Sequence, residues 1–383
     1  MTADELRDQV LRFDIDAPIE GAWTVPASWY TEPAFARLEQ RAVFAKSWHF
    51  VAAAEQLATP GSFVAGRDGG FPWVVLRDRQ GALRGLHNVC RHKAAEVAVG
   101  CGVTERLSCP YHGWTYDLDG RLRTAPRTGG IRAFDRSEMS LRPLAVEQLG
   151  PFIFAHPDPN AAPLAPALTE LTRRLAASGW ERARYLGCRT WDVACNWKVF
   201  ADNYLDGGYH ISVLHPSLDA QLDMSAYRTE LFDRYSIQSS PAATEDDARI
   251  DFDAQRRIGA GAIYAWVYPN LAINRYGPVL DTNRVVPVGA DRCRVIFDFW
   301  FDEGTDQAFI DRSQEQTALT QDEDVRISES VQVGLASGSY DRGRFAPSVE
   351  MGVHHFQRLI AADLRKAVER EGGVAPAVWA DTE

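Results

Sequence analysis

Residues 88–120 read NVCRHKAAEVAVGCGVTERLSCPYHGWTYDLDG. Cys90 and His92 are separated by one residue, sixteen residues follow, and Cys109 and His112 are then separated by two. Two thiols and two imidazoles in tight pairs are the donor set of a zinc site, or of a [2Fe-2S] cluster in which two histidines replace two cysteines on one iron. Neutral imidazole in place of thiolate lowers the negative charge on that iron, so the cluster takes up an electron more readily than a four-cysteine one. A zinc pair with a single intervening residue is unusual, which favours the cluster.

The flanking sequence is β-type. FVAGRD, PWVVLRD and LRGLHNV are short runs separated by turns at Gly69-Gly70 and Gln80-Gly81. WTYDLDGRLRTAP, with Asp119-Gly120 at its centre, predicts a hairpin. A small antiparallel β unit is therefore expected over residues 46–155, preceded by an N-terminal segment, 1–45, that packs on the domain after the β unit, 156–383. Within that segment TEPAFARLEQRAVFAK (31–46) predicts a helix with Thr31 as its cap and Pro33 in its first turn.

Further along, HPDPNAAPLAP (156–166) reads as a linker. It is followed by a helix to about Gly179, the strand RYLGCRTWDVA and a helical stretch over 196–210. A loop-rich, charged stretch (216–258) leads into the β-type runs AIYAWVY, LAINRYG, LDTNRVVPV and CRVIFDFWF. Helices are expected from about Asp306 to Val333 and from Val353 to Glu371. Strands followed by long helices predict an α+β domain over 156–383, with helices on one face of an antiparallel sheet.

The chain has 383 residues, 45% hydrophobic and 24% charged, which suits a well-formed core. Its net charge of -11, from 41 basic and 52 acidic residues, disfavours nonspecific binding to nucleic acid or anionic membrane and suits a basic protein partner. No apolar run approaches the ~20 residues that span a bilayer. MTADELRDQVLRFDIDAP at the N-terminus has neither an apolar signal core nor the Arg-rich, acid-poor character of a transit peptide, so a cytoplasmic location is expected. Six cysteines in this length make no disulfide framework; Cys101, Cys188, Cys195 and Cys293 are expected to be buried thiols.

A second constellation lies in NWKVFADNYLDGGYHISVLH (196–215), which offers His210 and His215. Positions five apart on an unbroken helix point about 140° away from each other, so a shared metal needs the helix to end or distort between them, with Ile211, Ser212 and Val213 as the expected break. Two histidines and one carboxylate on one face of an iron leave positions for dioxygen and substrate. TQDEDVRISESVQVGL offers Asp322, Glu323, Asp324 and Glu329 as the carboxylate, and composition does not choose among them. Asn203, Asp206 and Tyr209 make a polar cluster beside the histidines, expected to face inward.

CPYHGWTYDLDGRL closely resembles the second cluster loop of the Rieske non-haem iron oxygenases, and the resemblance extends from WTVPASWY (23–30) to GVHHFQRLI (352–360). Within that superfamily the nearest likeness is to choline monooxygenases, then carnitine monooxygenases, carried by CNWKVFADNYLDGGYH, YPNLAINRYGPVLDTNRVVPVG, EDVRISESVQVGLASGSYDRGRF and GVHHF. The resemblance implies a small all-β Rieske domain inserted before a helix-grip-like catalytic domain. It implies that Cys90 and Cys109 hold one cluster iron and His92 and His112 the other. It makes His210, His215 and Asp324 ligands of a mononuclear Fe(II), with Glu323 a neighbour. Asp206 becomes the carboxylate that links the two metals between subunits, although several relatives carry that acid one position later. Many relatives also have His-Arg-Gly where this chain has His92-Lys93-Ala94.

The same resemblance implies a homotrimer that hydroxylates or N-dealkylates a small quaternary or methylated ammonium compound such as choline, betaine or carnitine, using dioxygen. The chain has no G-x-G-x-x-G after a strand, so electrons from NAD(P)H must arrive through a separate flavin or iron-sulfur reductase, or a ferredoxin. Aromatics in the C-terminal strands suit a cation, each contact being worth about 0.5–2 kcal/mol. Asn203, Tyr264, Trp266, Tyr276 and Trp300 are the expected pocket residues. The competing readings are a Rieske oxygenase for an aromatic or other neutral substrate, and a non-catalytic Rieske electron carrier, which would leave the second constellation idle.

Overall fold

The computed structural model describes residues 1–67, 70–243 and 252–371. Gly69 of the expected Gly69-Gly70 turn lies outside the described residues, as does part of the charged stretch before residue 252.

The β unit contains strands β1 (His49–Ala53), β2 (Ser62–Gly66), β3 (Trp73–Arg77), β4 (Leu83–His87), β5 (Cys101–Val103), β6 (Leu107–Ser108), β7 (Thr115–Tyr116), β8 (Leu122–Thr124), β9 (Pro143–Leu149) and β10 (Phe152–His156). Seven of them form one sheet in the order β1-β10-β9-β4-β3-β2-β5, and β6-β7-β8 form a three-stranded sheet. The hairpin between β7 and β8 turns at Gly120, whose φ of 87° is the left-handed conformation that glycine adopts without a Cβ clash.

The second sheet is built from β11 (Ala183–Val193), β12 (Arg228–Leu231), β13 (Tyr235–Pro241), β14 (Gly261–Val267), β15 (Leu271–Tyr276), β16 (Val279–Pro287) and β17 (Cys293–Asp302). Its order is β11-β17-β16-β15-β14-β13-β12, antiparallel throughout. The helices are α1 (Ala3–Arg12), α2 (Ser28–Thr31), α3 (Pro33–Ala42), α4 (Thr169–Ala177), α5 (Trp197–Tyr204), α6 (Ile211–Leu214), α7 (Pro216–Asp219), α8 (Phe252–Ile258), α9 (Gln307–Ala336) and α10 (Met351–Glu371). None of the described helices is long and apolar enough to cross a membrane.

Alternation along the strands sends side chains to two cores. On one face Phe297 and Phe299 join Trp197 of α5, Phe356 of α10 and the N-terminal Trp29, Phe35 and Phe44. On the other, Ile237, Leu280 and Trp300 pack with Phe50, Phe152 and Phe154 of the first sheet, and with Leu164 and Leu168. The stretch read as a linker thus contributes to the core between the two sheets. The N-terminal segment is also tied down by charge: Lys198 Nζ bonds Glu39 Oε1 at 2.6 Å and Asn196 Oδ1 at 2.9 Å, with both Lys198 and Glu39 1% exposed. A buried pair of this kind holds because each charge keeps further hydrogen-bond partners, Trp197 Nε1 completing Glu39 at 2.8 Å.

Three local expectations are corrected. The cap of α3 is Glu32, because Thr31 already closes α2 and bonds back to Ala27 O. Cys101 and Cys188 are exposed, while Cys195 and Cys293 are buried with sulfurs 3.9 Å apart. The helix expected over 196–210 stops at Tyr204, because Gly207 and Gly208 follow in left-handed conformation, φ 74° and 78°.

Candidate metal centres

The four cluster residues sit on two loops with the same wiring. Cys90 N–H donates to Ala95 O at 2.8 Å, and Cys90 O accepts from Ala94 N at 3.0 Å. Cys109 N–H donates to Trp114 O at 2.8 Å, and Cys109 O accepts from Gly113 N at 3.1 Å. In both loops the residue four after the cysteine has positive φ, 62° at Ala94 and 71° at Gly113. The loop therefore wants glycine there, and the departure at Ala94 carries strain without altering the turn.

These loops place Cys90 and Cys109 in the interior, 2% and 4% exposed, and His92 and His112 at the surface. The two imidazoles lie 4.6 Å apart, and His92 stacks on Trp114 at 4.9 Å with an interplanar angle of 4°. Desolvation, with His112 and Lys93 nearby, lowers the His92 pKa and favours the neutral, ligating imidazole. Tyr116 O–H lies 3.2 Å from Cys90 Sγ and accepts from Arg91 N at 3.0 Å. Two sheltered thiols opposite two outward imidazoles fit the donor set that would hold a [2Fe-2S] cluster.

The second centre is assembled by α6 and α9. His210 immediately precedes α6 and His215 follows it, with Leu214 N bonded to His210 O at 2.8 Å and His215 N to Ile211 O at 2.9 Å. The expected break at Ile211–Val213 is therefore a continuous helical turn. The departures flank it: the glycine pair before His210, and His215 itself with φ -120° and ψ 66°. The two rings end 5.0 Å apart, and ligand atoms of His210, His215 and Asp324 all lie within 4.8 Å of one another.

Four carboxylates on α9 were open to choice, and their partners separate them. Asp322 accepts from Trp191 Nε1 at 3.1 Å, and Glu329 from Ala194 N at 3.0 Å. Glu323 Oε2 lies 2.7 Å from His215 Nδ1. Asp324 Oδ1 lies 3.0 Å from His215 Nε2 and 3.8 Å from His210 Nε2, and Asn203 Nδ2 donates to it at 2.7 Å.

Asp206 Oδ2 lies 2.7 Å from His210 Nδ1, and the carboxylate also accepts from the backbone N–H of Gly208, Tyr209 and His210 at 3.0, 3.1 and 3.0 Å. The turn it organises follows the helix end and contains the glycine pair. Tyr209 points outward, 61% exposed, and leaves the expected inward cluster.

Each histidine thus presents Nδ1 to a carboxylate and turns Nε2 inward, the arrangement that fixes tautomer and ring orientation in metal sites. Burial lowers the His215 pKa, but the hydrogen bonds and charges of Asp324 and Glu323 outweigh it and raise the pKa overall. Three carboxylates around two imidazoles leave an excess of negative charge, and the donor set of two histidines and one carboxylate fits Fe(II).

Beside this triad is a cavity of about 130 Å³. Asn203, Tyr264 and Tyr276 border it, as expected. Trp266 and Trp300 do not. Trp266 packs against Tyr204 and Phe356 at 5.5 and 5.8 Å, in the core behind the cavity. Trp300 pairs across strands with Leu280 and Tyr185, so alternation turns it to the opposite face of the sheet, away from Asp281 and Phe299. Residues not anticipated are Phe200, Tyr204, Tyr227, Arg257, Asp281 and Phe297. Gln238, Tyr264, Asn274 and Asp281 are successive partners across β13 to β16, so one row of the sheet forms a cavity wall. A buried Asp and Asn within the apolar runs of β15 and β16 were the signal for that row.

Two family patterns match the chain in order: the Rieske [2Fe-2S] domain over residues 47–135, and the ring hydroxylating alpha subunit (catalytic domain) over 180–366. The chloroplastic choline monooxygenase of Arabidopsis thaliana is 42% identical, across 93% of this chain and 86% of its own length. The carnitine monooxygenase oxygenase subunit of Escherichia coli is 30% identical, across 92% of this chain and 97% of its own. Among solved structures, the quaternary ammonium Rieske monooxygenase CntA in complex with L-carnitine superposes with a TM-score of 0.78 at 27% identity, covering 93% of this chain and 98% of that one. With both regions matched in sequence and relatives alike along most of its length, the protein belongs to the Rieske non-haem iron oxygenases, as a catalytic alpha subunit that works with a [2Fe-2S] cluster and a mononuclear iron.

Proposed function

We propose that this subunit hydroxylates or N-dealkylates a small methylated ammonium compound. The observation that carries the reading is the wall of the iron-side cavity, where Tyr204, Tyr227, Tyr264 and Tyr276 surround a space that also borders Asp281 and Asp324. Aromatic faces attract a desolvated cation, and buried carboxylates add to that attraction. Burial raises the pKa of all four phenols, so they present neutral rings and hydroxyls. The choline and carnitine monooxygenases among the relatives support the same substrate class.

In this reading Cys90, Cys109, His92 and His112 hold the cluster, and His210, His215 and Asp324 hold the mononuclear iron. The metals supply dioxygen activation and electron transfer; the protein supplies position and shelter. Asn203 steadies Asp324, while Asp206 and Glu323 aim the two imidazoles. Each monooxygenation consumes one dioxygen, two electrons and two protons and releases one water. The electrons come from a separate reductase. Asp206, bonded to His210, would also serve as the contact with a neighbouring subunit's cluster in a homotrimer, the form expected to work. A cytoplasmic location belongs to the same proposal.

Oxygen uptake with a surrogate reductase, measured across choline, betaines, carnitine and aromatic acids, tests the substrate class. Uptake dependent on the ammonium compounds is expected; turnover of only neutral aromatics would overturn it. Asp206→Asn should keep both metals and lose electron transfer between them, and full activity in that variant would refute its bridging role.

A further inference from the structure

We infer that Arg257 forms a carboxylate subsite in this cavity, so that the substrate is a zwitterion, with a methylated ammonium at one end and a carboxylate at the other, and not a bare cation. This rests on the ammonium reading and narrows it.

Arg257 lies in the last turn of α8 and borders the same cavity as the metal triad. Its Nε donates to Ser313 Oγ at 3.1 Å, and its Nη2 to Thr317 Oγ1 at 3.0 Å and Tyr276 OH at 3.2 Å. The guanidinium also lies over the Tyr276 ring, 4.8 Å from its centroid. These partners fix its position but are all neutral. Its neighbour Arg256, by contrast, pairs with Asp306 at 2.6 Å. Among the described residues the hydrogen bonds of Arg257 occupy Nε and Nη2 and leave Nη1 to a ligand.

Asp281 does not fill that role. It is 1% exposed, and its oxygens accept from Tyr276 OH at 2.7 Å, Asn274 Nδ2 at 2.6 Å and Asn283 Nδ2 at 3.3 Å. Tyr276 therefore stands between the two charges, donating to Asp281 and accepting from Arg257. The cavity is polarised: a guanidinium marks one end, and carboxylates mark the floor and the metal side.

The two ends are a useful distance apart. Ser313, Thr317 and Asp324 lie on α9, and Thr317 to Asp324 is seven residues, a rise of roughly 10 Å. A carboxylate held by Arg257 leaves a short carbon chain to carry the ammonium methyls toward His210, His215 and Asp324. A bare cation in the same cavity meets a guanidinium whose direct hydrogen-bond partners among the described residues are all neutral, which opposes binding. A substrate carboxylate removes that opposition and gains charge-assisted hydrogen bonds from a planar donor.

The test uses the reconstituted holoenzyme with glycine betaine, γ-butyrobetaine and choline, which share a trimethylammonium group and differ in carboxylate against hydroxyl. The wild-type kcat/KM for at least one of the two betaines should exceed that for choline at least tenfold. Arg257→Gln should cut that preference at least tenfold, chiefly through the KM of the carboxylated substrate, and Arg257→Lys should fall between. If choline is preferred, or Arg257→Gln leaves the ratio unchanged, the carboxylate subsite is refuted while the ammonium reading stands. If none of the three is turned over and aromatic acids are, the ammonium reading itself has failed. The wild-type ratio decides the matter even where a variant does not fold.

Discussion

Ala94 holds a backbone conformation that suits glycine, at φ 62° in the loop that carries Cys90 and His92. The left-handed region costs an L-residue about 1–2 kcal/mol, and glycine's greater freedom in the unfolded chain offsets about 0.5–1 kcal/mol of any relief. Ala94→Gly should therefore stabilise the holoprotein by about 0.5–1 kcal/mol, seen as a higher thermal midpoint with an unchanged cluster spectrum. A lower midpoint would show that the Ala94 methyl makes contacts worth more than the strain. Glu323 offers a second test. Its carboxylate touches His215 Nδ1 at 2.7 Å, so Glu323→Gln should weaken iron binding at the mononuclear centre by about 10–100-fold, the usual cost of losing a partner behind a ligand. Titration with an iron chelator reads this directly, and an unchanged affinity would remove Glu323 from the site. The proposed cluster ligands were legible as a set because they lie close together in sequence. The proposed third ligand, Asp324, was named by resemblance and not by composition, because Asp322, Glu323, Asp324 and Glu329 share one helix and the tertiary partners Trp191, His215 and Ala194 are what tell them apart.

At the scale of elements, α5 joins the metal side of the protein to its N-terminal segment. Asp202 on α5 accepts from Tyr30 OH of α2 at 2.5 Å and from Gln357 Nε2 of α10 at 3.1 Å. Burial pushes the Asp202 carboxyl up to about 7, against the lowering effect of those two hydrogen bonds. In the unfolded chain it titrates near 3.9. The folded state thus keeps this proton to higher pH, so Asp202 contributes its full stability below about pH 4 and loses it as pH rises toward about 7. Asp202→Asn should remove that dependence, so that its thermal midpoint gains on wild type between about pH 5 and pH 8. Parallel curves for the two proteins would contradict the assignment. Elements themselves were read well in α9, α10 and β14 to β17, which are long runs bounded by turn-forming residues. Boundaries failed where glycine acts through geometry. The Gly207-Gly208 pair ends α5 six residues before His210, and an alanine at 207 would place its Cβ 2.1 Å from Val349 O. That carbonyl comes from a distant part of the chain, which a local reading does not see.

Across the whole molecule, two sheets share one core, and one candidate iron site lies beside each. The division of aromatic residues between cavity and core follows from this arrangement. Trp300 looks like a pocket residue in the run CRVIFDFWF, but it faces Phe50 and Phe152 of the other sheet. Such sidedness depends on which face of a sheet is covered by which domain, information that alternation alone does not contain. Tyr264 and Tyr276 were found because they lie on the covered face, while Arg257 was missed because it reaches the cavity from a helix in a stretch read as loop. We propose that one chain holds two separate iron centres, a cluster at Cys90, His92, Cys109 and His112 and a mononuclear iron at His210, His215 and Asp324. Metal analysis of protein purified without oxygen tests it most directly. About three irons per chain are expected, about two in His210→Ala with the cluster absorbance intact, and about one in His112→Ala with that absorbance lost. Zinc without iron, or a His210→Ala protein that keeps all its iron, would contradict it.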